Sequence, residues 1–506
     1  MDDLSLDELA QLIDGAMDES DIDAIQKYSR KLEDISKRNL SAIEQAQIGF
    51  FKANCYSALR KSKNRHRSWG WDDQDLENEI YHLRLARNYL SGIPMESDRS
   101  DLRFSFRVST NLANALNHVG RFSEAIELWD EVLVEVPNYA MAVGNRGFAF
   151  FWYAKYLYDP GHQGVFLNES YHNIKLALEL GVEEHAALGM RQWLEHLLEM
   201  HDWESFQFHR KIESRGKSKR EKAYRTWCLD HKLFLNPLND LWKKDIAAND
   251  VFTFPSVIIK IEKSRRGSPP EVYGIYNQLK QEYVSARYML FDAITESEEN
   301  VHFSDKKVKL YDMLDYREYR LWIEKAKMAF MGAHAIFDKI AYLVNEYWEL
   351  GQSARRINFK SCWYRNGKTS DGFEAAFESS ENWPLRGLYW ISKEFIGEKE
   401  RESPLQPDAW HILEIRNHIA HKYLKVFDHF LVDTKQWRNA SGHEWEYPIS
   451  DKELINQTLK LLSLVRSALI YVSLAANYEE ARKRSEITDG LLGDMQLFEV
   501  DDKYRL

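Results

Sequence analysis

Residues 106–139 read FRVSTNLANALNHVGRFSEAIELWDEVLVEVPNY and place small or apolar residues at Leu112, Ala113, Leu116, Gly120, Ala125, Trp129, Val132 and Pro137. That spacing describes two antiparallel helices. Gly120 breaks the first, small Ala125 lets the second approach closely, and Pro137 stops it. The pattern resumes 34 residues on, with Gly147 at the position of Ala113 and Phe150 at that of Leu116. An insertion around Asp159-Pro160-Gly161 precedes the returning helix near Tyr171 to Leu180. Upstream, Ile43–Leu59 and Leu76–Leu90 repeat apolar residues at spacings of three and four. One such hairpin cannot bury both of its faces, so neighbours must stack into a solenoid.

This 34-residue pattern resembles a tetratricopeptide repeat (TPR), and the reading assigns residues 1–205 to TPR-like helical repeats. Composition agrees with a helical chain: 23 Gly and 11 Pro among 506 residues are too few for turn-dense all-β folds or glycine-rich phosphate loops. The length asks for two or three domains. A net charge of −11 makes the whole chain repel nucleic acid, so a polyanion needs a local patch. Cys55, Cys228 and Cys362 form no CxxC pair, which excludes a cysteine-rich zinc site and suits a reducing cytoplasm. Leu461–Tyr478 is apolar but carries Arg466 and several Ser, and reads as a core helix with no membrane role. The acidic N-terminus is the opposite of a signal or transit peptide, so a cytoplasmic location is expected.

Residues 206–276 read as a basic linker and connecting segment. It has a basic run at 209–226, a second at Lys260–Pro270, a turn at Phe234–Asp240, and one strand-like stretch at Phe254–Ile261. Helical periodicity then returns at Gln278–Ile294, Arg320–Leu350, Pro384–Phe395, Asp408–Phe427 and Glu453–Glu480, enough for a closed bundle over residues 277–480. Residues 481–506 form an acidic tail. The fold class is therefore all-α, with a solenoid followed by a helical bundle.

The chemistry concentrates in Leu413-Glu414-Ile415-Arg416-Asn417-His418-Ile419-Ala420-His421-Lys422. Ile412, Ile415 and Ile419 form a buried stripe, which turns Asn417, His418 and His421 to another face. Asn417 and His421, four apart, are neighbours. A guanidinium can hold a phosphate through two hydrogen bonds, an imidazole can act as acid or base near neutral pH, and the Asn can fix geometry. Arg416, Asn417 and His421 are thus the candidate catalytic residues. His418 and Lys422 are candidate phosphate contacts, and Tyr423 a candidate cleft wall on which a base can stack.

An Arg followed by His with four to six residues between is a weak pattern alone: five pairs occur, where chance gives about three. Of these, Arg60/His66 and Arg225/His231 sit at helix ends or connectors, Arg191/His196 on a solenoid helix, and Arg438/His443 in a loop. His411, His418 and His421 lack the carboxylate and spacing of an HExxH metal site, so no metal and no cofactor is expected. Neither GxxxxGK[ST] nor GxSxG occurs.

The segment 413–422 resembles the R-x4-6-H signature of the HEPN superfamily, in which Asn often follows the Arg. Phe234–Asp240, Val284–Tyr288 and Ile336–Ala341 are similar to segments of a bacterial HEPN subfamily joined to TPR repeats. The resemblance implies a homodimer or pseudodimer whose two motifs face one cleft. There, one His deprotonates a 2′-hydroxyl and the other protonates the leaving 5′-oxygen of RNA. It implies a metal-independent endoribonuclease of toxin or antiviral-defence type, with RNA as substrate and a protein or peptide on the TPR groove. Two alternatives stand beside it: a non-catalytic TPR-HEPN scaffold that binds protein or RNA, and the HEPN partner of a nucleotidyltransferase antitoxin.

Overall fold

A computed structural model of the chain describes residues 5–63, 71–91, 99–208, 215–259, 269–297, 301–395, 409–429, 444–487 and 495–504. His66, the Arg438/His443 pair, residues 209–214 and 260–268 of the basic runs, and parts of the acidic tail lie outside them.

The first nine helices are α1 (Leu6–Asp18), α2 (Ile22–Ser36), α3 (Ala42–Lys63), α4 (Gln74–Leu90), α5 (Arg99–His118), α6 (Phe122–Glu135), α7 (Ala140–Tyr156), α8 (Pro160–Leu180) and α9 (Glu184–Met200). Their starts are written locally. Ser5 and Glu8 form a reciprocal capping box, Asp21 and Asp73 accept backbone N–H groups three residues on, and Asp159 caps α8 ahead of Pro160. Consecutive helices pack as hairpins, α3 on α4, α5 on α6 and α7 on α8, and each hairpin stacks on the next. Gly147 makes the last hairpin close, because a Cβ there would press on Asn173 and Ile174 of α8.

Between this arm and the bundle lie α10 (Lys219–Asp230) and the single turn α11 (Leu238–Leu241). The expected linker is, where described, partly core: every residue of 233–240 is buried, while the basic run 215–226 stays at the surface. Leu233, Phe234, Leu235, Phe252 and Phe254 are buried. The basic charges of α10 are partly engaged, with Arg220 on Asp292 and Arg225 on Glu221 and the Ala248 carbonyl. No strand forms at 254–259, contrary to the expected one. The backbone there is held by individual acceptors instead, Val257 N–H on the Tyr273 hydroxyl and Ile258 N–H on Glu480.

The C-terminal bundle comprises α12 (Glu271–Ser297), α13 (Leu321–Tyr347), the short α14 (Ala375–Glu378), α15 (Trp383–Ser392), α16 (Ala409–His421) and α17 (Asp451–Glu486). α17 is the axis, touching α12, α13 and α15. It is long and apolar enough to cross a membrane by composition, yet its most apolar window is 83% buried inside the protein. Two strands, β1 (Tyr423–Phe427) and β2 (Glu446–Ser450), pair in parallel with Tyr423 opposite Glu446. The expected helix 408–427 therefore ends at His421. From Leu424 to Phe427 every residue is buried, which suits a short strand lying against the bundle.

Arm and bundle share one continuous hydrophobic core running from Ala46 to Ala476. The docking is made chiefly from the turns between paired helices. Trp71 Nε1 donates to the Ser380 carbonyl, Trp383 Nε1 to Asn117, Arg386 to His118, and Asn477 to Tyr156. Gly120 and Gly387 meet backbone to backbone, and a Cβ on either would collide with the other. Glu394 sits below them. Burial alone would raise its carboxyl, but Arg84 (2.7 Å) and Arg121 outweigh that and hold it at about 2.

Two buried arginines fix the 233–240 turn. Arg466 of α17 donates to the carbonyls of Phe234 (2.6 Å) and Asn236 (3.0 Å) and pairs with Asp240 (2.6 Å). Asp240 also accepts the Tyr153 hydroxyl of α7 at 3.0 Å. Arg287 of α12 reaches the Leu233 carbonyl and both oxygens of Asp250.

Asp240→Ala leaves Arg466 charged and unpaired in the core, and is expected to cost about 3–5 kcal/mol, read as a lower denaturant midpoint. Gly387→Val is expected to cost at least about 1–3 kcal/mol by overpacking and to reduce hydrogen-exchange protection at the 117–121 turn and at α15 together. Loss confined to α15 would show that docking does not depend on this contact.

Candidate functional site

α16 is held by Ile412 and Ile415, both buried, against α13, the Lys393–Phe395 turn and both strands. Ile419 is only half-buried. On a helix turning about 100° per residue, Asn417 and His421 stand about 40° apart, whereas Arg416 is about 140° from His421. The guanidinium closes part of that gap, since Arg416 Nη1 donates to Asn417 Oδ1 at 3.0 Å. Arg416 has no carboxylate partner among the described residues. His421 is the exposed last residue of the helix, and exposed Lys422 follows it, donating to the Glu444 carbonyl at 2.8 Å.

Two expectations change. His418 does not share the exposed face. It is 2% exposed, tilted against the Tyr447 ring, and its Nδ1 lies 2.7 Å from the Glu414 carbonyl, which fixes a proton on that nitrogen. The reason is periodic: His418 is three residues after Ile415 and falls on the same buried stripe. Tyr423 belongs to β1, half-buried, its ring parallel to Trp445 and its hydroxyl bonded to Arg317 (2.6 Å) and Tyr319 (3.0 Å). It braces the ground beside His421 instead of standing alone as a stacking wall.

The structure also brings up a residue that the sequence reading missed. His334 of α13 lies within electrostatic reach of Arg416 and Asp338 and packs edge-on against Phe395. Burial, opposed by Asp338 and reinforced by Arg416, lowers its imidazole to about 4, so it is neutral at pH 7, and its Nε2 has no hydrogen-bond partner among the described residues. The only sequence signal was its spacing of four from Asp338, within the apolar middle of α13. Of the histidines once weighed for metal, His411 Nδ1 pairs with the Tyr447 hydroxyl. No group of three or more His, Cys, Asp or Glu among the described residues is placed to hold a metal ion.

Residues 264–479 match the family model described as LA2681-like HEPN. The helical bundle containing α16 is therefore a HEPN domain of that kind. No curated protein and no solved structure matches the chain.

Because His334 binds its proton near pH 4 when folded and near its ordinary 6.5 when unfolded, the unfolded chain holds more protons between those values. Its contribution is present above about pH 6.5 and is lost as pH falls towards 4. His334→Leu is expected to recover about 1–3 kcal/mol of the stability lost between pH 7 and 4.5, measured by chemical denaturation at both. Identical acid losses in variant and parent would remove His334 from this account.

Proposed function

We propose that the chain is a metal-independent endoribonuclease that acts as a HEPN dimer, with the TPR-like arm as its sensing or protein-binding part. The observation that carries this reading is Arg416: a guanidinium without a carboxylate partner among the described residues, leaning on Asn417, on a helix that ends in an exposed imidazole. A helix used only for packing has no need of that arrangement. Membership of the HEPN class supports it, as that class is associated with ribonuclease activity.

In the reaction, Arg416 holds the phosphate and meets the charge that grows on its oxygens. An imidazole takes the proton of the 2′-hydroxyl while the 2′-oxygen bonds to phosphorus. The bond from phosphorus to the 5′-oxygen breaks, and a second imidazole gives that oxygen a proton, leaving a 2′,3′-cyclic phosphate and a 5′-hydroxyl. Asn417 positions Arg416 and, one turn away, stands beside His421. Lys422 adds a cation at the mouth of the site. The proposed boundaries are 1–205 for the arm, 206–276 for the connection and 277–480 for the bundle, with α12 beginning earlier, at Glu271, and α17 running on to Glu486.

With EDTA present, the protein is expected to cleave RNA. Arg416→Ala and His421→Ala are each expected to slow cleavage on the order of 10²-fold or more, with unchanged melting temperature. Equal cleavage of strands with 2′-deoxy substitutions at the cut sites, or full activity of His421→Ala, would sink the ribonuclease reading and leave the scaffold.

A further inference from the structure

The connection between α12 and α13 reaches the ground beside His421. Glu318 N–H bonds to the Val426 carbonyl at 2.9 Å, Arg317 donates to the Tyr423 hydroxyl at 2.6 Å, and the Tyr319 hydroxyl lies 3.0 Å from the same group. Tyr423 in turn lies parallel to Trp445, with 6.3 Å between ring centres, and Trp445 is 55% exposed. β1 begins two residues after His421. A run of aromatic rings, Trp445, Tyr423 and Tyr319, therefore leads from the end of α16 into residues 310–319, which fold round a cleft of about 510 Å³ that opens to the surface. In the wall of that cleft Tyr311 is 93% exposed and Tyr316 66%. Leu314 and Tyr316 both hold left-handed backbone, φ 57° and 59°. That conformation costs free energy in any residue with a side chain, and here it leaves two large side chains in water. A turn shaped only for packing would bury them or place glycine there.

Charge decides between occupants. Residues 301–320 hold five cations and four carboxylates, on a chain whose net charge is −11. The carboxylates are in use: Asp305 accepts the Leu321 N–H at the start of α13, Asp312 accepts the Leu314 N–H, Asp315 pairs with Arg317, and Glu318 is half-buried. Lys306, Lys307 and Lys309 are exposed and make no ion pair among the described residues. Aromatic faces in water beside such ammonium groups suit an unpaired nucleic-acid strand, whose bases stack and whose phosphates need cations. The core of a protein interface is instead depleted of lysine.

We propose that Tyr311, Tyr316 and Trp445, with Lys306, Lys307 and Lys309, form a second RNA-binding site, a shelf on which unpaired bases flanking the cut stack. The inference rests on the ribonuclease reading for the place of the cut, while the binding chemistry of the shelf stands apart from it. The ligand is single-stranded RNA that runs several nucleotides beyond the phosphate held at Arg416. A base inside a duplex has both faces covered by its neighbours and cannot lie on the shelf.

The test is a fluorescence-anisotropy titration of the full chain with a labelled 2′-O-methyl RNA of about 12 nucleotides, within the usual span of single-strand sites. This probe lacks the free 2′-hydroxyl that cleavage needs, and is used as a single strand and as a duplex. The proteins are the parent, Tyr311→Ser/Tyr316→Ser, Tyr311→Phe/Tyr316→Phe, Lys306→Ala/Lys307→Ala/Lys309→Ala, and Val134→Ser, which alters an exposed apolar residue of α6 in the arm. The serine double variant loses two stacking faces and is expected to bind the single strand on the order of 10²-fold more weakly. Its circular dichroism and melting temperature should be unchanged, because these side chains are already in water. The phenylalanine double variant keeps the rings, and with Val134→Ser is expected to stay within about threefold of the parent. The lysine triple variant should flatten the slope of log affinity against log salt by about 2. The parent should bind the duplex at least about tenfold more weakly than the single strand. Parental single-strand affinity in the serine double variant overturns the proposal, including the case in which that variant loses self-association, which would make the surface a protein contact. Equal affinity of the parent for single strand and duplex overturns it as well. Cleavage is read separately on unmodified RNA. If the serine double variant loses the strand and no form cleaves RNA, the shelf stands and the ribonuclease reading falls. If the parent cleaves RNA and the serine double variant both binds and cleaves like it, the ribonuclease reading stands and the shelf falls.

Discussion

The ion pair between Arg466 and Asp240 joins three parts of the chain that are distant in sequence: the central helix α17, the 233–240 turn, and, through the Tyr153 hydroxyl, helix α7 of the repeat arm. All its members are buried. A charge in such a place is tolerable only when paired and fully hydrogen-bonded, and Arg466 reaches that state through the Phe234 and Asn236 carbonyls as well as Asp240. The turn in turn needs its own caps, which Asn236 and Asn239 supply by accepting from the N–H groups of Leu238 and Phe234. The pair therefore sets which way α17 faces, and α12, α13 and α15 pack around a helix already aligned.

A second constraint follows from the way the arm is attached. Solenoids normally leave a curved surface for a ligand, and here the hairpin turns, led by Gly120, carry the bundle. Backbone contact between Gly120 and Gly387, with Glu394 and Glu124 together pairing Arg84 and Arg121, couples arm and bundle as a packed interface and not as beads on a string. Any force on the repeats is felt first at α15 and at the Lys393–Phe395 turn, on which α16 also rests. The Lys393–Phe395 turn thus touches both α15, which meets the arm, and α16, the helix that carries Arg416.

At the site, the apolar period of α16 was legible and its consequence was only half drawn. Ile412 and Ile415 are buried, but the same period carries His418 inward, so the helix offers one exposed imidazole where the sequence suggested two. His334 went unnoticed because a lone His within an apolar helix gives no periodic signal. Its relation to Arg416 exists only once α13 and α16 are packed. The termination of α16 at His421 was also invisible, since Tyr423–Phe427 continues an apolar pattern compatible with either helix or strand. Pairing with Glu446–Ser450, more than 18 residues away, decided the matter.

By itself the sequence determined the helical class, the hairpin register around Gly120, Ala125 and Pro137, and the segment that carries Arg416, Asn417 and His421. These are local properties, fixed by period, small residues and helix stops that act within one or two turns. Tertiary structure alone decided that the 233–240 turn of the connecting stretch is core, that Phe254 lies in buried coil, that Tyr423 is a brace in a strand, and that Gly120 needs its missing side chain for docking as well as for turning. Each of those outcomes depends on which distant residue supplies the hydrogen bond or fills the space, and burial energies of that kind are set by partners hundreds of residues apart.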